Sequence, residues 1–226
     1  MRIDIITLFP EFFEPFKTHS IVGRAIKSGK VKVVTHNLRE WASDKYKSVD
    51  DHPYGGGPGM VLRVDVVAPA IAAVRKLNRK ARVILMTPQG KTYTQPHALA
   101  LSKTTGLILI CGHYEGFDER IRGYVDTELS VGDYVLTGGE LPAMIVVDSV
   151  VRLLRGVLGD DTSSHDESFS DGLLEYPQYT RPETYKGKTV PEILLSGHHG
   201  EIEKWRGEQA KARTTVRRPD LLARKV

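Results

Sequence analysis

Chemistry in this 226-residue chain can be carried by a few glycine-bearing stretches and one acidic run. Residues 87–90 read Thr-Pro-Gln-Gly, residues 111–116 read Cys-Gly-His-Tyr-Glu-Gly, and residues 131–142 read Val-Gly-Asp-Tyr-Val-Leu-Thr-Gly-Gly-Glu-Leu-Pro. Each follows a strand or a strand-like segment. Glycine lets backbone N–H and C=O groups approach a ligand closely, and such groups can read an adenine edge. Ligands of parallel sheets bind at the carboxyl ends of the strands. One such loop would be turn chemistry, whereas three after successive strands point to a ligand site without naming the ligand. Residues 55–59 hold four glycines and a proline, more than one tight turn requires. Residues 160–171 hold five carboxylates, many Ser/Thr and no Lys or Arg, the composition of a flexible connector.

Two familiar phosphate motifs are incomplete. Gly90-Lys91-Thr92 would need a glycine at position 85, which is Leu85. The glycines at 55–59 do not complete G-x-G-x-x-G because position 60 is Met60. His198 and His199 have no Cys or His cluster to make a metal site with. The single cysteine, Cys111, excludes an internal disulfide and a multi-Cys zinc site, and suggests a reducing compartment.

The elements that must position these residues alternate. Strands are expected at residues 3–9, 31–38, 81–86, 107–112 and 126–131, and helices at about 11–28, 64–77, 97–103 and 116–125. Continuous apolar runs such as 81–86 and 107–111 suit strands covered on both faces. Strands separated by helices imply an α/β fold with a mainly parallel sheet. Thr137-Gly-Gly-Glu140 reads as a capping box opening a helix to about Arg155, apolar almost all round, which belongs in a core or in a subunit interface. Beyond the acidic run, residues 191–196 and 201–213 read as short helices of a small C-terminal domain. The boundaries fall at 1–159, 160–173 and 174–226.

Charge is uneven along the chain. Residues 204–226 hold eight Lys/Arg against Glu208 and Asp220, while the whole chain carries only +4. That is the electrostatic footprint of a phosphate backbone, or else a solvated helix surface. No apolar run approaches the roughly 18 residues of a membrane span. The first residues lack the small-residue cleavage site of a signal peptide and read as a strand.

The motifs Gly-Gly-Gly-Pro-Gly-Met (55–60), Thr-Pro-Gln-Gly (87–90), Cys-Gly-His-Tyr-Glu-Gly-Phe-Asp-Glu-Arg (111–120), the 131–144 loop, Tyr-Thr-Arg-Pro-Glu (179–183), residues 190–199 and Lys-Trp-Arg (204–206) stand in order along the chain. In that order they resemble the bacterial tRNA (guanine-N1)-methyltransferases of the SPOUT superfamily, essentially end to end. The resemblance implies a mainly parallel α/β sheet with a deep trefoil knot and a small all-helical C-terminal domain. It implies a cytoplasmic homodimer with its sites at the interface. It also implies methyl transfer from S-adenosylmethionine to N1 of guanine 37 in tRNA, where guanine 36 precedes it.

By that resemblance the cofactor contacts are Leu85, Met86, Thr87, Pro88, Gly112, Tyr114, Glu115, Val131, Gly132, Asp133, Tyr134, Val135, Leu136, Gly138, Gly139 and Pro142. Gly55, Gly56, Gly57, Pro58, Gly59 and Met60 lie near the cofactor and the target base. His198, His199, Lys204, Arg206, Arg213, Arg217 and Arg218 contact tRNA, and Glu115 is the Mg²⁺ ligand where that ion is used. The family's general base is an Asp before Ser-Phe. Here that position is Glu167, with Asp166 as the neighbouring alternative. Arg152 stabilises charge on the base, or pairs with Asp148 one helical turn earlier. The change from Asp to Glu is the one feature favouring a non-catalytic RNA-binding protein of the same fold. The glycine loops alone would also suit an α/β enzyme acting on a small nucleotide.

Overall fold

Aliphatic residues alternating with period two place side chains on both faces of one sheet. The computed structural model describes residues 1–159 and 167–223. Its strands are β1 (Arg2–Thr7), β2 (Lys32–Asn37), β3 (Asp50–Asp51), β4 (Val61–Leu62), β5 (Arg82–Thr92), β6 (Gly106–Cys111) and β7 (Thr127–Ser130). Five of them form a sheet in the order β2-β1-β6-β5-β7, every pair parallel. β3 and β4 form a separate antiparallel ladder of two residues each.

Helices α1 (Glu14–Thr18), α2 (Ser20–Lys27), α3 (Val64–Leu77), α4 (Gln95–Ser102) and α5 (Glu140–Val151) connect and cover the strands. Ile3, Ile5, Ile84, Met86, Leu107 and Leu109 pack with Val22 of α2 and with Val146, Val147 and Val150 of α5. Ile6, Val83, Leu85, Ile108 and Ile110 pack with Val67, Ile71 and Val74 of α3. The sheet is therefore the middle of three layers. α5 uses its Val146 side for this core, while Leu141 and Ile145 stay exposed.

Several sequence expectations shift. The helix expected at 11–28 divides into a 3-10 turn (Pro10–Phe13), α1 and α2, with Ser20 at φ 55° in the break. At Gly23 a Cβ would lie 2.5 Å from the Thr18 carbonyl carbon, so the chain can fold back there only over a glycine. The 116–125 segment is a 3-10 helix (Glu119–Tyr124). α5 ends at Val151, short of Arg155.

At the start of β1, Asp4 is fully buried and takes bonds from Arg2, His36 Nε2 (2.8 Å) and Asn78 Nδ2 (3.0 Å). Burial alone would raise its pKa, but these donors more than offset that and hold it at about 2.

The chain divides into two units, Met1–Gly159 and Asp160–Val226. In the second, β8 (Thr184–Tyr185) pairs with β9 (Lys188–Thr189), a 3-10 turn spans Glu192–Leu195, and α6 (His199–Arg217) and α7 (Pro219–Ala223) follow. A unit expected to be all helical thus also contains a hairpin, turned at Lys186 (φ 50°) and Gly187 (φ 77°).

Candidate functional site

The three glycine stretches converge at the carboxyl edge of β5, β6 and β7. Met86 and Lys91 of β5 both stand opposite Leu129, so residues 87–90 are displaced from the regular ladder. Gly90 makes this possible, since a Cβ there would lie 2.5 Å from the Leu129 nitrogen. After β6 the chain turns through Tyr114 (φ 59°) and Gly116 (φ 120°). The Gly139 N–H donates to the Gly112 carbonyl (2.8 Å), tying the third loop to the second. Gly139 is sterically required because backbone fills its Cβ position, whereas Gly112 packs against a side-chain ring. A Cβ on Gly139 would lie 2.6 Å from Cys111 Cα, and one on Gly112 2.8 Å from the Phe117 ring.

Together these segments enclose a cavity of about 300 Å³. Its wall includes Leu85, Met86, Thr87, Pro88, Gly112, Tyr114, Glu115, Val131, Gly132, Tyr134, Val135, Leu136, Gly138, Gly139 and Pro142. Asp133 is exposed and outside this lining. The size, the apolar walls and the many backbone polar groups suit a nucleoside-sized ligand.

Beyond the contacts implied by the resemblance, the wall includes Gln89 and His113, which lie within two of the glycine stretches, and Phe117, Glu119 and Arg122, which sequence reasoning missed. Arg122 reaches Gln89, Glu119 and Glu128, and so braces the displaced residues of β5 against the 3-10 segment and β7. For Phe117 and Glu119 the available signal was the Cys111–Arg120 motif, whose second half falls in the helix expected at 116–125.

Glu140 also differs from expectation. The expected capping box does not form: the N-cap of α5 is Gly139, and no side chain caps it. Glu140, only 5% exposed, accepts instead from Thr7 Oγ1 (2.7 Å) and meets His113 Nε2 at 3.0 Å. Burial against β1 and β6 outcompetes the local bond. Burial, and then the Glu140 charge, push the Cys111 thiol well above its usual range, so it is no nucleophile.

The glycine-rich loop at 55–60 divides into two parts. Gly55, Gly56 and Gly57 have φ of 90°, 80° and 118°, with open space where a Cβ would sit. Gly59 lies against the Glu115 side chain, and Met60 accepts from the Glu115 N–H (3.0 Å). Leu62 of β4 continues the fastening through Gly116 and Asp118. Glu115 is thus held by the end of this loop. Among the described residues no three His, Cys, Asp or Glu side chains are grouped to hold a metal ion.

Arg152 is the half-buried C-cap of α5, its N–H on the Asp148 carbonyl (3.1 Å). In the second unit, Glu167 opens a turn whose carbonyl accepts from Ser170, and its side chain lines a cavity of about 1320 Å³. Asp166 lies outside the described residues.

The basic side chains of the second unit separate into engaged and exposed sets. The Arg206 guanidinium lies 4.8 Å from the Tyr176 ring centre, Arg213 donates to the Glu175 carbonyl (3.2 Å), and Arg218 pairs with Asp220. His198, His199, Lys204 and Arg217 are exposed.

A parallel α/β domain with a glycine-cradled cavity at its strand ends is one of the ligand-binding α/β enzyme folds. Residues 1–224 match the family described as tRNA (Guanine-1)-methyltransferase TrmD, and the chain belongs to that family. It is 56% identical to a tRNA (guanine-N(1)-)-methyltransferase of Geobacillus kaustophilus, over 98% of this chain and 91% of that one. The enzyme of the same name from Citrifermentans bemidjiense is 53% identical, covering 98% and 90%. That of Staphylococcus aureus is 54% identical, covering 98% and 91%.

Proposed function

We propose that this protein methylates N1 of guanine 37 in tRNA, where guanine 36 precedes it, using S-adenosylmethionine. The observation that carries this reading is the cavity where the three glycine stretches meet, in a chain of this family. Its residues fit the cofactor: Gly112, Gly132, Gly138 and Gly139 line the cavity and present bare backbone N–H and C=O groups to a ligand there. Tyr114, Tyr134, Leu136 and Pro142 supply apolar surface around it.

When bound, S-adenosylmethionine supplies a methyl group on a sulfonium, so transfer is a direct displacement with no covalent bond to the protein. Guanine N1 carries a proton and is a poor nucleophile until that proton leaves. The site therefore needs a base at N1–H and positive charge near O6. Glu167 takes the N1 proton, with Asp166 as its alternate, and Arg152 stabilises the charge that develops at O6. The target base must leave its stack to reach them, which a loop permits more cheaply than a duplex.

In this reading residues 1–159 hold the cofactor in a knotted sheet domain, residues 160–173 link, and residues 174–226 hold the tRNA anticodon arm. Two copies assemble with sites at their interface, in the cytoplasm. Among the described residues no helix is long and apolar enough to cross a membrane. Glu115 would provide an oxygen ligand for Mg²⁺.

The test is incubation with methyl-labelled S-adenosylmethionine and tRNA carrying guanines at positions 36 and 37. Label is expected in N1-methylguanine. Binding of tRNA without label would favour the non-catalytic reading, which the Glu at position 167 supports. Methylation of a free nucleotide without RNA would favour the small-nucleotide reading.

A further inference from the structure

Glu140 is a buried carboxylate that the proposed chemistry does not use. It sits at the first position of α5, where free backbone N–H groups favour negative charge. A buried carboxylate is costly unless its oxygens find donors. Thr7 Oγ1 accepts the Phe9 N–H (2.9 Å), which directs its own proton to Glu140 Oε1 (2.7 Å). Oε2 is left for His113 Nε2 at 3.0 Å. One carboxylate thereby joins the end of β1, the loop after β6 and the start of α5.

His113 lines the cavity, and its ring is held by Phe9 (centres 5.0 Å apart) and Tyr114 (6.0 Å). A Cβ on Gly138 would fall on this ring and on the Glu140 carboxylate, so the backbone closes over both. In a neutral imidazole, the hydrogen bond made by one ring nitrogen decides which one carries the proton. A carboxylate accepts and does not donate, so Nε2 keeps the proton and Nδ1 becomes the acceptor.

We infer that Glu140 is a positioning residue, which holds His113 as the Nε2–H tautomer so that Nδ1 accepts a hydrogen bond from an O–H or N–H group of the cofactor. This rests on the reading of the cavity as the S-adenosylmethionine site. Loss of the Glu140 charge releases the tautomer and leaves the acceptor available only part of the time.

The full-length protein labelled with ¹⁵N-histidine reports the tautomer directly at pH 8. The His113 resonances are assigned by their loss in His113→Gln. The native protein is expected to show Nε2 as the protonated and Nδ1 as the unprotonated nitrogen. In Glu140→Gln the two shifts should move toward their mean. Calorimetric affinity for S-adenosylmethionine should fall about twofold in the same variant, because about half of the population still presents an unprotonated Nδ1, and about tenfold in His113→Gln, which removes the acceptor altogether.

If Glu140→Gln does not fold, His113→Gln carries the affinity measurement, with an expected loss of about tenfold. Native His113 protonated at Nδ1, or affinity unchanged in the folded variant, overturns the inference. Native protein that takes up no S-adenosylmethionine overturns the cofactor reading instead, and the resonances still decide whether Glu140 sets the tautomer.

Discussion

The two units spend their residues differently. Among the described residues, every buried apolar side chain except Leu221 belongs to the first unit. The second has Thr214 as its one buried polar residue, and it leans on polar ties such as Leu174 N–H to Thr214 Oγ1 (2.9 Å). The first unit's cavity is small and cradled by glycine, whereas the second's is about 1320 Å³ and edged by Glu167, Asp171, Glu175, Glu183 and Glu203. Arg181, His199 and Arg206 line the same cavity, so its wall carries both signs of charge, while Lys204 and Arg217 stand exposed on α6. The contrast teaches that the small glycine-cradled pocket has an extensive apolar core behind it, while among the described residues the wide cavity of the second unit does not. A 67-residue unit with so little burial is marginal alone.

Substitutions can break or sharpen this contrast. The largest effect is expected from Glu167→Gln, which should cut turnover about 100-fold or more and leave cofactor affinity nearly unchanged. Near-normal single-turnover rates would move the base to Asp166 or to solvent.

Asp4→Asn should act on the first unit alone, costing about 3 kcal/mol by leaving buried donors without their charged partner. Because the Asp4 carboxyl lies at about 2 and not at 3.8, its stabilisation is complete above the higher value and is lost as pH falls toward the lower one. Melting curves from pH 5 to pH 2 should therefore be flatter for the variant. An equal pH slope in both proteins would refute the network's role.

Gly139→Ala tests whether the pocket is as rigid as its contacts require. Overpacking against Cys111 should cost about 1–3 kcal/mol of stability and about tenfold in affinity for S-adenosylmethionine. Wild-type affinity would show that the loop yields.

The smallest effect belongs to the second unit. Arg217→Ala should weaken tRNA binding about threefold and lower the salt dependence by about one counterion. A filter-binding series in salt would reveal it, and an unchanged slope would remove Arg217 from the phosphate path.

Much of the first unit was legible without coordinates. Apolar runs at 81–86 and 107–111 read as covered strands because only a sheet faced on both sides tolerates them, and β5 and β6 occupy those places. The glycine stretches could be read as ligand loops because glycine has few other reasons to recur after strands. α5 was legible as a buried helix, although the exposure of Leu141 and Ile145 was not.

Local pattern determined what each segment could be: strand alternation, glycine-permitted turns, the uneven charge and the single buried thiol. Tertiary structure decided which local options were taken. Thr137 and Glu140 had the spacing for a cap, yet Glu140 turned to Thr7, 133 residues away, and to His113. Arg122, unremarked in sequence, met Gln89 of the 87–90 stretch in the cavity wall. The physical reason is clearest at Glu140. A local hydrogen bond contributes about 1 kcal/mol in water, whereas leaving a buried carboxylate without its partners costs several times that, so the fold decides the pairing.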